Sequence, residues 1–216
     1  MLQMIKKNLK TLIITTIITL LPIVAGLILW DKLPEQMPTH FNIHGEADGF
    51  SSKTFGVFGL PVFLAVLHWI CTVGTKADPK QKNHSEKMQT LVLWICPLIS
   101  LIVSTAIYAY SMEINIDVLL ITNLICGVTF IIAGNYLPKC KQNYTIGIKL
   151  PWTLNDEENW NYTHRISGKI WVAGGLIVLL TAILKQMWIT VVVLSVIAIV
   201  PFILSYLFYK KKNKNS

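Results

Sequence analysis

Residues 134–169 read GNYLPKCKQNYTIGIKLPWTLNDEENWNYTHRISGK, and this stretch decides the fold because of its flanks. An apolar run, Val118 to Leu137, leads into it, and another, Ile170 to Leu184, leads out. The second run is only fifteen residues long. As helix that is about 22 Å, short of a bilayer core about 30 Å thick. The residues before it make up the difference. Asn155 suits an N-cap, Glu158 falls at N3, and Asp156 and Glu157 lie in the first turn, where the helix dipole favours acids. Trp160, His164, Ser167 and Trp171 then recur at three- and four-residue spacing on one face. The spacing predicts one helix from about Asp156 to Leu184, its first turns at or above the membrane interface. Tyr144 to Trp152 alternates and ends at Pro151, which predicts an extended segment. Tyr136, Tyr144, Trp152, Trp160 and Tyr162 are the amphipathic groups that interfacial belts select.

The rest of the chain has the same alternation of apolar runs and short polar connections. Thr11–Trp30, Phe55–Val73, Met88–Tyr110 and Met187–Tyr209 bring the runs to six, and they predict an all-α, polytopic membrane protein with six transmembrane helices. Only 14% of residues are charged, against roughly 25% in soluble domains. The first run is too long for a signal h-region and no small-residue cleavage site follows it, so it reads as a retained helix. The net charge of +8 does not gather on a folded basic face, which argues against direct nucleic-acid binding. Instead the basic residues flank the runs. With the N-terminus inside, sixteen of the nineteen fall on one side, and only Lys32, Lys53 and Lys185 fall on the other. The positive-inside rule then puts both termini in the cytoplasm. The expectation is a single integral membrane domain over 1–216, with 31–54 an extracytoplasmic loop turning at Asp48-Gly49. Residues 138–169 become a cytoplasmic loop running into helix 5, and Lys76–Lys87 a short basic loop.

Two regions carry ordered motifs. One is Leu33-Pro34-Glu35-Gln36-Met37-Pro38-Thr39-His40-Phe41-Asn42, followed by Gly45, Asp48-Gly49 and Lys53. The other is Gly134-Asn135-Tyr136-Leu137-Pro138-Lys139, then Asn143, Gly147-Ile148, Pro151-Trp152-Thr153-Leu154, Trp160, Thr163-His164-Arg165 and Gly168. Both resemble the SdpI family of bacterial toxin-immunity membrane proteins. Together they cover about a third of the chain, and Lys141-Gln142 departs from the more Arg- or Pro-like pair expected there. The resemblance implies a multi-pass protein of the bacterial plasma membrane that protects against a secreted, membrane-active peptide toxin. It also implies signalling through recruitment of a cytoplasmic transcriptional repressor. The implied partners are thus the lipid bilayer, the toxin and that repressor.

On this reading Pro34, Pro38, His40, Phe41, Asn42, Gly45, Asp48, Gly49 and Lys53 are the toxin-facing candidates. Asn135, Lys139, Asn143, Gly147, Pro151, Trp152, Trp160, His164 and Arg165 are the candidates for a cytoplasmic surface, with Arg165 and His164 set beside Asp156–Glu158. No catalytic residue, metal or cofactor is expected. His40 and His44 stand four apart, but Pro38 and Gly45 bracket them and break any helix. Glu157-Glu158 lacks the arginine four residues on that CAAX-type membrane proteases require, since Tyr162 stands there. Cys71, Cys96, Cys126 and Cys140 show no metal spacing. His68 and Asn123 are polar groups within apolar runs, which keeps a small membrane transporter or lipid-modifying enzyme as the alternative.

Overall fold

The computed structural model describes residues 2–184 and 186–214, with side chains from Leu9 onward. Lys185, counted above among the basic residues and placed in a turn, lies outside the described residues. The described residues form seven α-helices: α1 Leu2–Ile28, α2 Lys53–Ala77, α3 Glu86–Ser111, α4 Val118–Tyr136, α5 Pro151–Asn155, α6 Glu157–Leu184 and α7 Met187–Lys214. All but α5 are long and apolar enough to cross a membrane, α1 over Leu9–Ile28. The helices match the six expected runs in number and order. Contacts gather the chain into two compact units, Met1–Gly74 with Glu86–Val118, and Thr75–Ser85 with Leu119–Ser216.

The first unit holds α1, α2 and α3. Pro22, Pro61 and Pro97 lie inside these helices, where each removes a backbone donor. Beside Pro22, α3 adds side-chain donors to the α1 backbone. The Tyr108 hydroxyl donates to the Pro22 carbonyl at 3.0 Å and the Ser100 hydroxyl to the Thr19 carbonyl at 2.7 Å. His68 is buried on α2, its Nε2 2.8 Å from the Thr15 hydroxyl of α1.

The polar loop between α1 and α2 is not irregular. After a 3-10 turn at Trp30–Lys32 it forms a hairpin, β1 Gln36–Phe41 antiparallel to β2 Ala47–Ser52, with Gln36 opposite Ser52 and Pro38 opposite Phe50. The turn falls at Asn42–Glu46 rather than at Asp48-Gly49. The Asn42 side chain accepts from the His44 and Glu46 N–H groups at 2.9 and 3.1 Å, and Gly45 takes φ +80°. Gly49 instead sits within β2, where an added Cβ would lie 2.8 Å from that of His40.

In the second unit α4 and α6 cross at two points where only glycine fits. A Cβ on Gly134 would lie 2.8 Å from the Gly168 carbonyl, and one on Gly127 would lie 2.9 Å from the Gly175 carbonyl. Hydroxyls and amides close the remaining gaps. Thr190 of α7 donates to Asn123 of α4 at 2.9 Å and lies 2.7 Å from Thr181 of α6. Asn159 of α6 and Ser205 of α7 exchange two bonds, at 3.2 and 2.9 Å.

Two substitutions of identical chemistry separate packing from propensity. Gly168→Ala would place a methyl 2.6 Å from Pro138 and 2.7 Å from the Gly134 carbonyl, whereas Gly74→Ala meets nothing within 4 Å. The expected cost of Gly168→Ala is about 1–3 kcal/mol, a fall of roughly 2–10 °C in the melting temperature of the solubilised protein. Gly74→Ala is expected to leave it unchanged or slightly raised.

Candidate functional site

Two constructions concentrate polar and aromatic groups outside the spans, one in each unit. The hairpin of the first unit is the simpler. Met37 is fully buried and packs with Leu33, Val57 and Tyr108, flanked by Leu29, Trp30 and Phe58. Lys53 is buried beneath it. Its ammonium pairs with Glu35 at 2.9 Å, donates to the Trp30 carbonyl at 3.2 Å and lies 5.4 Å from the Trp30 ring centre. Phe41 meets Tyr110 edge to face, centroids 5.0 Å apart. Of the nine toxin-facing candidates, Pro38 and Lys53 are therefore inside, as supports of the hairpin. Pro34, His40 and Asp48 are exposed, and His40 Nδ1 lies 2.5 Å from the Asp48 carboxylate.

The second construction is the stretch from Leu137 to the start of α6. A 3-10 turn at Leu137–Lys139 gives way to residues 140–150, which have no regular structure. Backbone groups there must find side-chain partners. Asn143, almost fully buried, supplies several. Its Oδ1 accepts from the Thr145 and Ile146 N–H groups at 2.9 and 2.7 Å, and its amide donates to the Lys141 and Ile146 carbonyls at 2.8 and 2.9 Å. The Gln142 amide donates to the Thr153 and Leu154 carbonyls at 2.9 and 3.0 Å.

Residues 151–155, expected partly extended, form a short helix. Pro151 starts it, and the Leu150 N–H donates to the Thr153 hydroxyl at 2.9 Å. Asp156 then caps α6 in place of the expected Asn155, its carboxylate accepting from the Glu158 N–H at 3.0 Å.

The α6 face expected from the spacing turns inward onto this stretch. Trp160 is fully buried and donates from its indole to the Cys140 carbonyl at 2.7 Å. His164 stacks on it, centroids 4.0 Å apart and planes at 22°. The imidazole Nδ1 donates to the Trp160 carbonyl at 2.8 Å, and Nε2 accepts the Ile148 N–H at 3.0 Å. These partners assign the neutral Nδ1–H tautomer. Gly147 is required beside it, since φ is +122° and a Cβ would stand 2.4 Å from His164 Nε2.

The segment Thr75–Ser85, read from sequence as a basic loop, brings the most buried charge. Asp78 Oδ2 accepts from the Tyr144 N–H at 2.9 Å and the Thr145 hydroxyl at 2.8 Å, and lies 3.1 Å from His84 Nε2. Its Oδ1 accepts the Lys80 N–H at 2.7 Å. Burial alone would raise the Asp78 carboxyl. The Lys80 N–H, the Thr145 hydroxyl, His84 and the Tyr144 N–H together hold it below the ordinary carboxylate value. Nearby, Lys80 donates to the Gln142 side chain and Asn83 to its carbonyl. Sequence reading missed Asp78, His84 and Gln142. The local signal was Asp78-Pro79 at a helix end, while the Tyr144 and Thr145 partners lie more than sixty residues away.

Several candidates for the cytoplasmic surface are consequently not at a surface. Asn143, Trp160 and His164 are buried because the irregular backbone draws them inward. Trp152 is half-buried, donating to the Ser205 hydroxyl at 2.8 Å among Phe202, Tyr206 and Tyr209. Asn135, Lys139, Pro151 and Arg165 are exposed, with Lys139 Nζ 3.4 Å from the Asn135 side chain. The acids expected beside Arg165 turn elsewhere: Asp156 and Glu158 each lie 2.8 Å from the Lys212 ammonium. Burial would raise Asp156, but Lys212 and the Asn159 and Glu158 N–H groups hold its carboxyl low.

Both constructions coincide with regions shared with other proteins. Residues 139–205 match the SdpI/YfhL protein family, and residues 17–65 match a domain of unknown function, DUF1648. Over 211 residues the chain is 29% identical to the immunity protein SdpI of Bacillus subtilis (strain 168), covering 96% of this chain and 98% of that relative. No solved structure matches.

The Asp78 cluster carries a pH signature. A carboxylate whose folded value is depressed contributes stability in full above the ordinary value of 3.8, lost as pH falls through the folded value. Asp78→Asn is expected to melt well below the parent protein at pH 7. The gap is expected to narrow as both are titrated below pH 4, followed by near-ultraviolet circular dichroism. Asp78→Ala, which leaves the Lys80 and Tyr144 N–H groups without their acceptor, is expected to cost about 1–3 kcal/mol for each buried donor left unpaired at pH 7.

Proposed function

We propose that the chain is a member of the SdpI family, to which it is similar along nearly its whole length, and that it protects its cell against a secreted, membrane-active peptide toxin. The observation that carries this reading is the likeness to an immunity protein along nearly the whole chain, through both the hairpin and the 139–205 region.

Protection on this reading is by binding, without chemistry. In the second unit Asp78, His84, Thr145 and His164 serve as fixed partners of backbone and of one another. Charge asymmetry supports the sidedness, with the hairpin outside, where a secreted peptide arrives, and residues 138–169 in the cytoplasm. Exposed Asn135, Lys139, Pro151 and Arg165 then frame a rigid cytoplasmic surface suited to docking a repressor. Arg165 is the member able to grip a carboxylate with two bonds.

The test is survival. Expression in a bacterium killed by a cognate membrane-active peptide is expected to restore growth. Phe41→Ala, which removes the ring packed on Tyr110, is expected to weaken protection far more than Lys214→Ala. No gain against any such peptide, with the protein confirmed in the membrane, overturns the reading. Arg165→Ala is expected to leave survival intact while lowering co-purification of the repressor.

A further inference from the structure

The hairpin is supported from below and open at its side. Its sheet has two strands, so each strand has a single strand neighbour among the described residues. Along β2, Ala47 gives its N–H to the Tyr110 hydroxyl at 3.4 Å, which leaves Asp48–Ser52 as the length bordering no further strand. Alternation sends Asp48, Phe50 and Ser52 to the exposed face. On that face Phe50 is 56% exposed, and Ile43 at the hairpin tip is 57% exposed. Both lie outside the candidate spans, where a large apolar side chain left uncovered marks a surface for a partner.

Charge indicates what fits there. Residues 31–54 hold Asp31, Glu35, Glu46 and Asp48 against Lys32 and Lys53, a net −2 in a chain of net +8. Glu35 is paired with the buried Lys53, and Asp48 lies beside His40, so Asp31, Glu46 and Asp48 outweigh Lys32 at the exposed rim. A second copy of the same hairpin would bring like charge to like. We propose that Asp48–Ser52 of β2 accepts an extended, cationic and apolar peptide segment as a third strand. Its main chain pairs with the free edge, an apolar side chain covers Phe50, and a basic side chain reaches Asp48 or Glu46. This rests on the immunity reading only in naming a toxin as the natural source of the segment.

The experiment uses the full chain in nanodiscs of zwitterionic phosphatidylcholine, with empty discs for comparison. The probes are three labelled synthetic peptides, read by fluorescence polarisation. One alternates Val or Phe with Lys, one carries Glu in place of Lys, and one is the Lys peptide N-methylated at alternate amides. The Lys peptide is expected to bind. The Glu peptide, the N-methylated peptide, and the Lys peptide on Asp48→Lys are each expected to bind at least about tenfold more weakly. Added salt is expected to weaken the Lys peptide further, and Glu157→Lys in the other unit to change nothing.

Equal binding of Lys and Glu peptides overturns the proposal. So does undiminished binding of the N-methylated peptide, which needs no variant to fold, or an equal signal from empty discs. Self-association of the protein that Phe50→Ser abolishes assigns the edge to a second copy and also overturns it. Full survival of cells carrying Asp48→Lys with Phe50→Ser overturns strand addition and leaves immunity standing. Absence of protection by the parent protein, with the Lys peptide still bound as described, overturns immunity and leaves the surface standing.

Discussion

Eleven residues, 140–150, have no regular structure and are in part buried, and a buried N–H or C=O without a partner is costly. Much of the second unit answers to that constraint. Asn143 satisfies its neighbours, Gln142 reaches α5, His164 receives Ile148, the Trp160 indole reaches Cys140, and Asp78 meets Tyr144 and Thr145. The side chains come from three places in the sequence, 78, 142–143 and 160–164, and together they satisfy a loop that has no repeating pattern of its own.

What could be read from sequence follows from the range of the forces involved. Spans were legible because burial in lipid acts on runs of adjacent residues. The extension of α6 ahead of its apolar run was legible from Trp160, His164, Ser167 and Trp171, whose spacing encodes a face. What that face meets was not, since period says nothing about partners. The hairpin was hidden behind a stronger turn signal. Asp48-Gly49 attracts the eye, but Asn42 and Gly45 close the chain, and Gly49 is small because His40 passes close by. Asp78 and His84 were invisible in a loop that reads as a string of lysines. Gln142, which had stood out only as a departure from the expected pattern, bridges Lys80 and Asn83 to the backbone of α5.

The two polar constructions differ in kind. In the second unit, charge is consumed internally: Asp156 and Glu158 on Lys212, Asp78 on His84 and three further donors. In the hairpin, Lys53 and Glu35 pair to fix its base. Asp48 beside His40 and Glu46 beside Asn42 stay at the exposed rim, with the large apolar side chains. One construction is built to hold a shape, the other to present a surface.

The segment Thr75–Ser85 belongs by its contacts to the second unit, while its two ends run into α2 and α3 of the first. Neither unit is therefore a continuous length of gene. A crossover at Val118, the obvious seam between them, would hand on a second unit deprived of Asp78, His84 and Asn83, and a first unit carrying those residues without their partners. A foreign peptide grafted into 75–85 would likewise disturb a different unit from the helices it interrupts.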